Sequence, residues 1–173
     1  MIAMRNNNKR RGSTLLEFTL AGIPLLFLLI CTVQLSLAMW NYHTLAYAVN
    51  QGVRYTALHG QGCSTNGNSC GATVGTIANQ IAAAAIGIPS DQVNVSLTTA
   101  SGQTTTCNPL NSCFSDSTAW PPATNSDNVP GKNVTVSARY VFPFILAMLW
   151  PGAGTMRTGT IALPARATQQ ILY

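Results

Sequence analysis

The apolar run from Phe18 to Trp40 constrains this chain more than any other feature. Its 23 residues carry no charge, and at about 1.5 Å per residue they would form roughly 34 Å of helix, enough to cross a bilayer core of about 30 Å. Pro24 lies within the run, and proline is tolerated in membrane helices. We therefore expect one membrane span, with about 130 residues beyond it.

Positive charge is concentrated ahead of this run, at Arg5, Lys9, Arg10 and Arg11. The rest of the 173-residue chain is close to neutral and rich in uncharged polar residues. Only 8% of the chain is charged, against about 25% in ordinary soluble domains. A basic tail beside a span indicates a cytoplasmic N-terminus, so we expect no nucleic-acid partner despite the net charge of +5.

A secretory signal peptide is the alternative interpretation of this N-terminus. The triplet Ser36-Leu37-Ala38 fits the small-residue pattern of a cleavage site. However, the apolar region of a signal peptide normally has about 7–15 residues, whereas this run is longer and begins next to Glu17. The sequence therefore favours a retained span.

Glu17 is an unusual residue at the start of a span. A charge at the bilayer centre costs roughly 3 kcal/mol on insertion scales, and less near the interface. Gly12 closes the basic tail, Ser13 follows it, and Glu17 and Phe18 are the fifth and sixth residues after the glycine. This arrangement resembles the type IV prepilin processing signal, especially that of the pilins and pseudopilins of the Tad (tight adherence) secretion system.

The resemblance implies that a prepilin peptidase cleaves between Gly12 and Ser13. Cleavage would create an α-amine on Ser13, cationic below its pKa of about 8, four residues from Glu17 in the same helix. It also implies that in a filament Glu17, next to Phe18, docks against the amine of a neighbouring subunit. Either pairing would offset the cost of burying the carboxylate. The alternative is an uncleaved anchor in which Glu17 only reaches the cytoplasmic interface.

The segment after the span also resembles this family. Residues 46–60 resemble the TadE-like signature, which ends in Gly-x-Arg-Tyr-x-Ala, matched here by Gly52, Arg54, Tyr55 and Ala57. Near the C-terminus, "NVTVSARYVF", "PFILAMLWPG" and "TMRTGTIALPA" resemble it as well. Two features depart from the family pattern: the acid that often follows the final Met-Arg strand is absent, and the outer part carries a cysteine-bearing insertion.

The rest of the chain predicts an α+β fold, in which a long N-terminal transmembrane helix extends into a small head. Three-to-four spacing continues the span helix as an amphipathic helix to about Leu58, through Leu45, Val49, Gly52, Val53 and Thr56. In the head, one further helix should pack on an antiparallel sheet. The expected elements are a helix at 72–86, strands at 92–99, 132–142 and 156–163, and a long loop at 100–131.

A second apolar run, residues 141–152, has about ten apolar residues and is too short to span a membrane. We expect it either to pack in the core or at the sheet edge, or to form a surface that touches membrane or partner subunits.

Five cysteines remain to be explained. Cys31 lies in the span and is expected to be inert packing. Cys63 and Cys70 lie in one polar stretch, and Cys107 and Cys113 lie in another. An even set of four outside the membrane predicts two disulfides, for which three connectivities are possible. We favour the local pairs Cys63–Cys70 and Cys107–Cys113.

A metal site formed by His59, Cys63 and Cys70 is the alternative to a disulfide, but the spacing fits no familiar zinc pattern. The two histidines lie near the long helix and the four acids are scattered. No phosphate loop or nucleophile elbow occurs. We expect a protein that is not an enzyme, with no metal and no cofactor.

The sequence thus predicts a basic leader at 1–12, a transmembrane and amphipathic helix at 13–59, and an extracytoplasmic head with disulfide loops at 60–173. The resemblance implies a minor pseudopilin or pilus-assembly protein of a bacterial inner membrane, with the head periplasmic or extracellular, either entering a pilus or remaining at its base. Its expected partners are prepilin peptidase, other Tad pilins and the membrane. The alternative is an uncleaved single-pass envelope protein whose head binds a ligand or a scaffold.

Overall fold

A computed structural model describes residues 9–60, 71–144 and 160–172. Two helices and four strands follow one another in the order α1 (Lys9–Leu58), α2 (Val74–Ala84), β1 (Val93–Thr98), β2 (Thr104–Cys107), β3 (Asn133–Pro143) and β4 (Thr160–Gln170). Short 3-10 turns lie at Leu110–Cys113 and Thr124–Ser126. The predicted α+β class, with a long apolar N-terminal helix, is confirmed.

The chain divides into two compact units, Met1–Leu37 and Ala38–Tyr173. The first unit contains the N-terminal part of α1, and the second contains the rest of α1 together with α2 and the sheet. α1 runs for 50 residues and includes Pro24 without ending there. It ends at Leu58, as the amphipathic pattern predicted.

The core of the second unit lies between the helices and one face of the sheet. The C-terminal part of α1 buries the five residues that the helical spacing placed on one face: Leu45, Val49, Gly52, Val53 and Thr56. α2 contributes Val74, Ile77 and Ile81, all fully buried. Removing these side chains from water is the main stabilising contribution, at about 25 cal/mol per Å² of apolar surface.

The sheet is antiparallel throughout, with strand order β2-β1-β3-β4. Its two faces differ because side chains alternate along each strand. One row across the core face joins Cys107, Val95, Ala138 and Ala165, all of which are buried. This row connects all four strands to one apolar layer.

The prediction of an uninterrupted loop over 100–131 is wrong, because Thr104–Cys107 forms β2 and pairs with β1. The turn between the two strands includes Gly102 at a φ of +87°, a conformation that glycine adopts at little cost. Only Cys107 is buried in β2, so the strand carries no apolar alternation that would reveal it.

The other predicted elements are found with changed ends. α2 is two residues shorter than the predicted 72–86 at each end, and β1 lies within 92–99. β4 begins inside the predicted third strand but continues to Gln170, because its full length pairs with β3 from Pro143 to Asn133. Residues 156–159 of that prediction, and residues 145–152 of the second apolar run, lie outside the described residues.

Candidate assembly site

The residues of the predicted processing and docking motif lie in the first turns of α1. The helix begins at Lys9, so Gly12 and Ser13 have helical backbones. Glu17 and Phe18 follow on the same helix and are exposed, Phe18 with 77% of its surface accessible. Ser13 and Glu17 are four residues apart and therefore lie on one face of the helix. The motif forms a contiguous feature of one helix end.

The described start of α1 is a basic helix end. No acidic residue lies in its first turn, and the first residues Lys9, Arg10 and Arg11 are basic. Positive charge opposes the partial positive charge of a helix N-terminus by about 0.3–1 kcal/mol per group, and the first amides have no intrahelical acceptor. The basic charge therefore disfavours the helical form of this first turn.

The N-terminal part of α1 presents an apolar surface. Its exposed large side chains include Leu15, Leu16, Phe18, Leu20 and Ile23, and the exposure of leucines continues to Leu37. The helix from Leu15 onward is long and apolar enough to cross a membrane, by length and composition. Such a surface is stable in lipid or against other apolar helices and unfavourable in water.

The hydroxyl groups of this segment are satisfied within the helix. Thr19 Oγ1 donates to Leu16 O at 3.0 Å, Thr32 Oγ1 donates to Leu29 O at 2.8 Å, and Ser36 Oγ donates to Thr32 O at 2.8 Å. Bonds of this kind allow hydroxyl residues to lie in an apolar phase without an external partner.

Glu17 differs from these hydroxyls. Among the side chains that the structure describes, those of residues 15–60, 71–144 and 160–172, the Glu17 carboxylate has no ion-pair or hydrogen-bond partner. A carboxylate next to exposed leucines has an unmet need for a cation or for hydrogen-bond donors. Glu17 is therefore a charged group on an apolar helix surface with no partner among the described side chains.

The second unit holds the C-terminal end of α1 tightly against α2. A Cβ built on Gly52 would lie 2.5 Å from Cγ1 and 2.9 Å from Cδ1 of Ile81, both closer than real Cβ contacts. Glycine at this position lets the two helices approach more closely than any other residue would. One helical turn further on, the buried hydroxyl of Thr56 donates to Gly52 O at 2.9 Å.

The aromatic residues near the end of α1 make local contacts. The rings of Tyr55 and His59 stack with centroids 4.0 Å apart, and His59 Nδ1 lies 2.7 Å from Tyr55 O. His59 thus packs on its own helix. Cys63 and Cys70, its partners in the metal-site alternative and each other's partners in the predicted disulfide, lie outside the described residues.

Cys107 and Cys113 form a disulfide with a Cα–Cα distance of 5.7 Å, which is the pairing favoured from the sequence. The loop after it contacts the first turn of α2. Val74 N donates to Thr118 O at 2.9 Å, and Gly75 N donates to Asp116 O at 2.8 Å. These carbonyls accept from amides that have no partner within the helix, so the loop after the disulfide caps α2.

Thr73 adds a side-chain cap to the same helix end. Its Oγ1 accepts from Thr76 N at 3.1 Å, while Thr76 Oγ1 accepts from Thr73 N at 2.8 Å. This reciprocal arrangement is a capping box, with threonine in the place that glutamate usually takes. Two independent sets of hydrogen bonds, from the loop carbonyls and from the capping box, therefore fix the start of α2.

Asp127 is a buried acid that the sequence analysis did not single out. Its side chain is 1% exposed and accepts from Ser101 N at 3.1 Å and from the Ser101 hydroxyl. Burial acts to raise the pKa of Asp127. The hydroxyls of Ser101 and Thr99, the Ser101 amide and the charge of Lys132 outweigh burial, so the pKa lies below its usual range. The carboxylate thus ties the β1–β2 turn to the segment before β3.

The comparisons with known proteins agree with the motif at the start of α1. Residues 12–54 match the model of the family described as TadE-like protein. The matched segment begins at Gly12 and contains Glu17, the span and Gly52. No curated protein and no solved structure matches the chain. Over residues 12–54 the chain is therefore similar to TadE-like proteins, and the match covers most of its long apolar N-terminal helix.

Proposed function

We propose that the protein is a minor pseudopilin or pilus-assembly subunit of a Tad-type system, cleaved by a prepilin peptidase between Gly12 and Ser13. The proposal rests mainly on the residue at which the family match begins. It starts at Gly12 and continues through the whole apolar helix to Arg54, leaving the basic leader outside. The proposed scissile bond follows the first matched residue.

The charges at this helix end support cleavage between the basic leader and the rest of α1. Before cleavage, the basic leader lies at a helix N-terminus, which opposes it electrostatically. Cleavage would remove those four charges and create a single amine on Ser13, one helical turn from Glu17. The carboxylate, which has no described partner, would then have a cation within reach in its own helix or on a neighbouring subunit.

The role that we propose is structural rather than catalytic. The two acids with lowered pKa values, Asp116 and Asp127, act on local backbone geometry: Asp116 Oδ1 accepts from Thr118 N at 2.8 Å, and Asp127 holds Ser101. In this account α1 is the assembly element, and its neighbours are other Tad pilins in a single-pass orientation with a cytoplasmic leader and an outer head. The second unit, Ala38–Tyr173, would form the head that is exposed outside the membrane.

A pair of glycine variants tests the cleavage. In cells with an active prepilin peptidase, Gly12→Leu should leave the full-length protein in the membrane, because a bulky residue blocks the close approach of the protease backbone. Gly22→Ala is the matched control, since a Cβ at Gly22 meets nothing within 4 Å. Normal shortening of the Gly12→Leu protein would contradict the proposal. No shortening of the natural sequence would favour the alternative, an uncleaved envelope protein.

Glu17 variants test the docking separately. Glu17→Ala should be shortened normally but should fail to co-purify with the other pilins, because the new amine of a neighbour would lose its counter-charge. Glu17→Asp keeps the charge and should retain partial assembly. Normal filament incorporation of Glu17→Ala would contradict the docking role while leaving the cleavage proposal intact.

A further inference from the structure

The face of the sheet that points away from the core carries polar and basic side chains. The alternation that buries Val95 and Ala138 places Ser96, Ser137 and Arg166 in one row across β1, β3 and β4. The next row pairs Asn94 with Arg139. Arg139 and Arg166 are both exposed and are diagonal neighbours on this face, about 7–8 Å apart at Cα by sheet geometry.

A depression of about 320 Å³ lies on this face. Its polar lining consists of side chains from three strands and from the residue after β2: Asn94, Ser96, Thr106, Asn108, Ser137 and Arg139. No acidic residue lines it. Among the residues that the structure describes, neither Arg139 nor Arg166 forms an ion pair. Arg139 thus lines the depression, Arg166 lies diagonally next to it on the same face, and no described carboxylate neutralises either guanidinium group.

The chemistry of the lining indicates what could bind there. Arginine presents a planar fork of donors that matches a carboxylate in bidentate fashion. Asparagine amides and serine hydroxyls both donate and accept, which suits a ligand with several hydroxyl groups. The volume is at the lower end of that of small-molecule sites, and corresponds to about one sugar ring.

The placement of the depression favours side-chain recognition. β1 and β3 are the two interior strands, so their backbone groups are already paired on both sides. An extended peptide therefore cannot add a strand here. The apolar residues in the lining of this depression, Val95, Cys107 and Ala138, are buried, and the exposed Val141 lies outside it, so the depression itself offers no exposed large apolar group to an acyl chain.

We propose that this face of the head binds an acidic polysaccharide, with the carboxylate of a uronate unit held by Arg139 and Arg166 and its hydroxyls held by Asn94, Ser96 and Ser137. A neighbouring depression of about 490 Å³ shares Asn94 and Asn108 and is lined by Asp91. Because the Asp91 carboxylate would repel the carboxylate of an adjoining uronate, the next units of the polymer would extend away from this second depression. The binding face goes beyond the role of α1 in assembly and does not depend on it.

The test measures binding of purified full-length protein in detergent to oligogalacturonate, a polymer of uronate units, by calorimetry. Uncharged dextran of the same length is the control ligand. Arg139→Gln and Arg166→Gln should each weaken binding by about tenfold or more, because each removes a charge-assisted hydrogen-bond donor. Arg54→Gln removes the same charge from an exposed position on α1 and should change the affinity by less than about twofold, as expected for an exposed charge remote from the ligand.

Two other anionic ligands test whether the site prefers uronate units to other anions. Polyglutamate and short-chain phosphatidylglycerol should compete poorly with oligogalacturonate, because neither offers ring hydroxyls to the asparagine and serine side chains. Equal competition by either ligand, equal binding of dextran, or equal weakening by Arg54→Gln would overturn the proposal. Since both arginine variants alter exposed side chains, unchanged thermal melting would show that a loss of affinity comes from the site. The result is independent of whether the leader is removed.

Discussion

Gly52 of α1 packs against Ile81 of α2 so closely that a single added methyl group would overlap Cγ1 of the isoleucine. Ile81 is fully buried in the core of the second unit, so it has little room to move. Gly52 lies in the matched segment and begins the Gly-x-Arg-Tyr-x-Ala pattern, of which Tyr55 and Ala57 lie just beyond the match. The glycine of that pattern is therefore explained by helix packing.

Substitution of this glycine should reduce stability despite improving helix propensity. Alanine in a helix interior is favoured over glycine by about 1 kcal/mol, whereas forcing a methyl group into a packed core costs about 1–3 kcal/mol. We expect Gly52→Ala to lower the free energy of unfolding by about 1 kcal/mol, measured by thermal unfolding in detergent. Gly22→Ala is the control, because it adds a methyl group in open space.

A double-mutant cycle tests the cause. In an Ile81→Ala background the obstructing side chain is gone, so Gly52→Ala should become neutral or stabilising. The same loss of stability in both backgrounds would show that the contact with Ile81 is not responsible.

Gly75 should tolerate substitution less well than Gly52. A Cβ at Gly75 would lie 2.7 Å from Asp116 O and 2.8 Å from Phe114 O. Both are backbone atoms, so no side-chain truncation can make room for the methyl group. We expect Gly75→Ala to cost about 2 kcal/mol or more, with amide exchange at Val74 accelerated because its acceptor, Thr118 O, is displaced. Unchanged exchange at Val74 would contradict this prediction.

The Cys107–Cys113 disulfide should stabilise α2 through the loop that follows it. For a loop of this length the chain-entropy model gives about 2 kcal/mol. The double variant Cys107→Ser/Cys113→Ser should lower the melting temperature and increase hydrogen exchange at Val74 and Gly75. Cys31→Ser removes a free cysteine of the span and should change neither quantity. Faster exchange spread evenly over the sheet would argue against a local role of the disulfide.

Asp127 should make the second unit sensitive to acid. Because folding lowers its pKa, the ionised form is stabilised in the folded state. That contribution is fully present above the unfolded pKa of about 3.9 and is lost as the pH falls through the lower folded pKa. Asp127→Asn should abolish this part of the pH dependence of unfolding.

Ser101→Ala provides the complementary test. It removes the hydroxyl that donates to Asp127 and should raise the pKa of Asp127, measured by carbon NMR of the carboxyl group. A pKa of Asp127 that does not change in Ser101→Ala would contradict the assigned cause.

Much of the helical structure can be predicted from the sequence because its signals are periodic. The uncharged run from Phe18 and the spacing of Leu45, Val49 and Val53 predict both the length of α1 and its buried face. β1 and β3 alternate apolar and polar residues and are found where expected. In these elements the local pattern and the tertiary burial agree.

The missed elements depend on pairing with other segments rather than on a pattern in their own sequence. β2 is a run of threonines that becomes a strand by pairing with β1 across the turn at Gly102. β4 contains Pro164 and Arg166 beyond its apolar start, and proline is tolerated there because β4 is at the edge of the described sheet. The bond between Ser101 and Asp127 joins residues that no short motif links.

The intact mass of the wild-type protein shows whether the encoded chain is a precursor that loses its basic leader. The protein should be purified from membranes of cells with an active prepilin peptidase and its N-terminus read by mass spectrometry. We expect a chain that begins at Ser13 and lacks residues 1–12. A chain that begins at residue 1 or 2 would contradict this expectation.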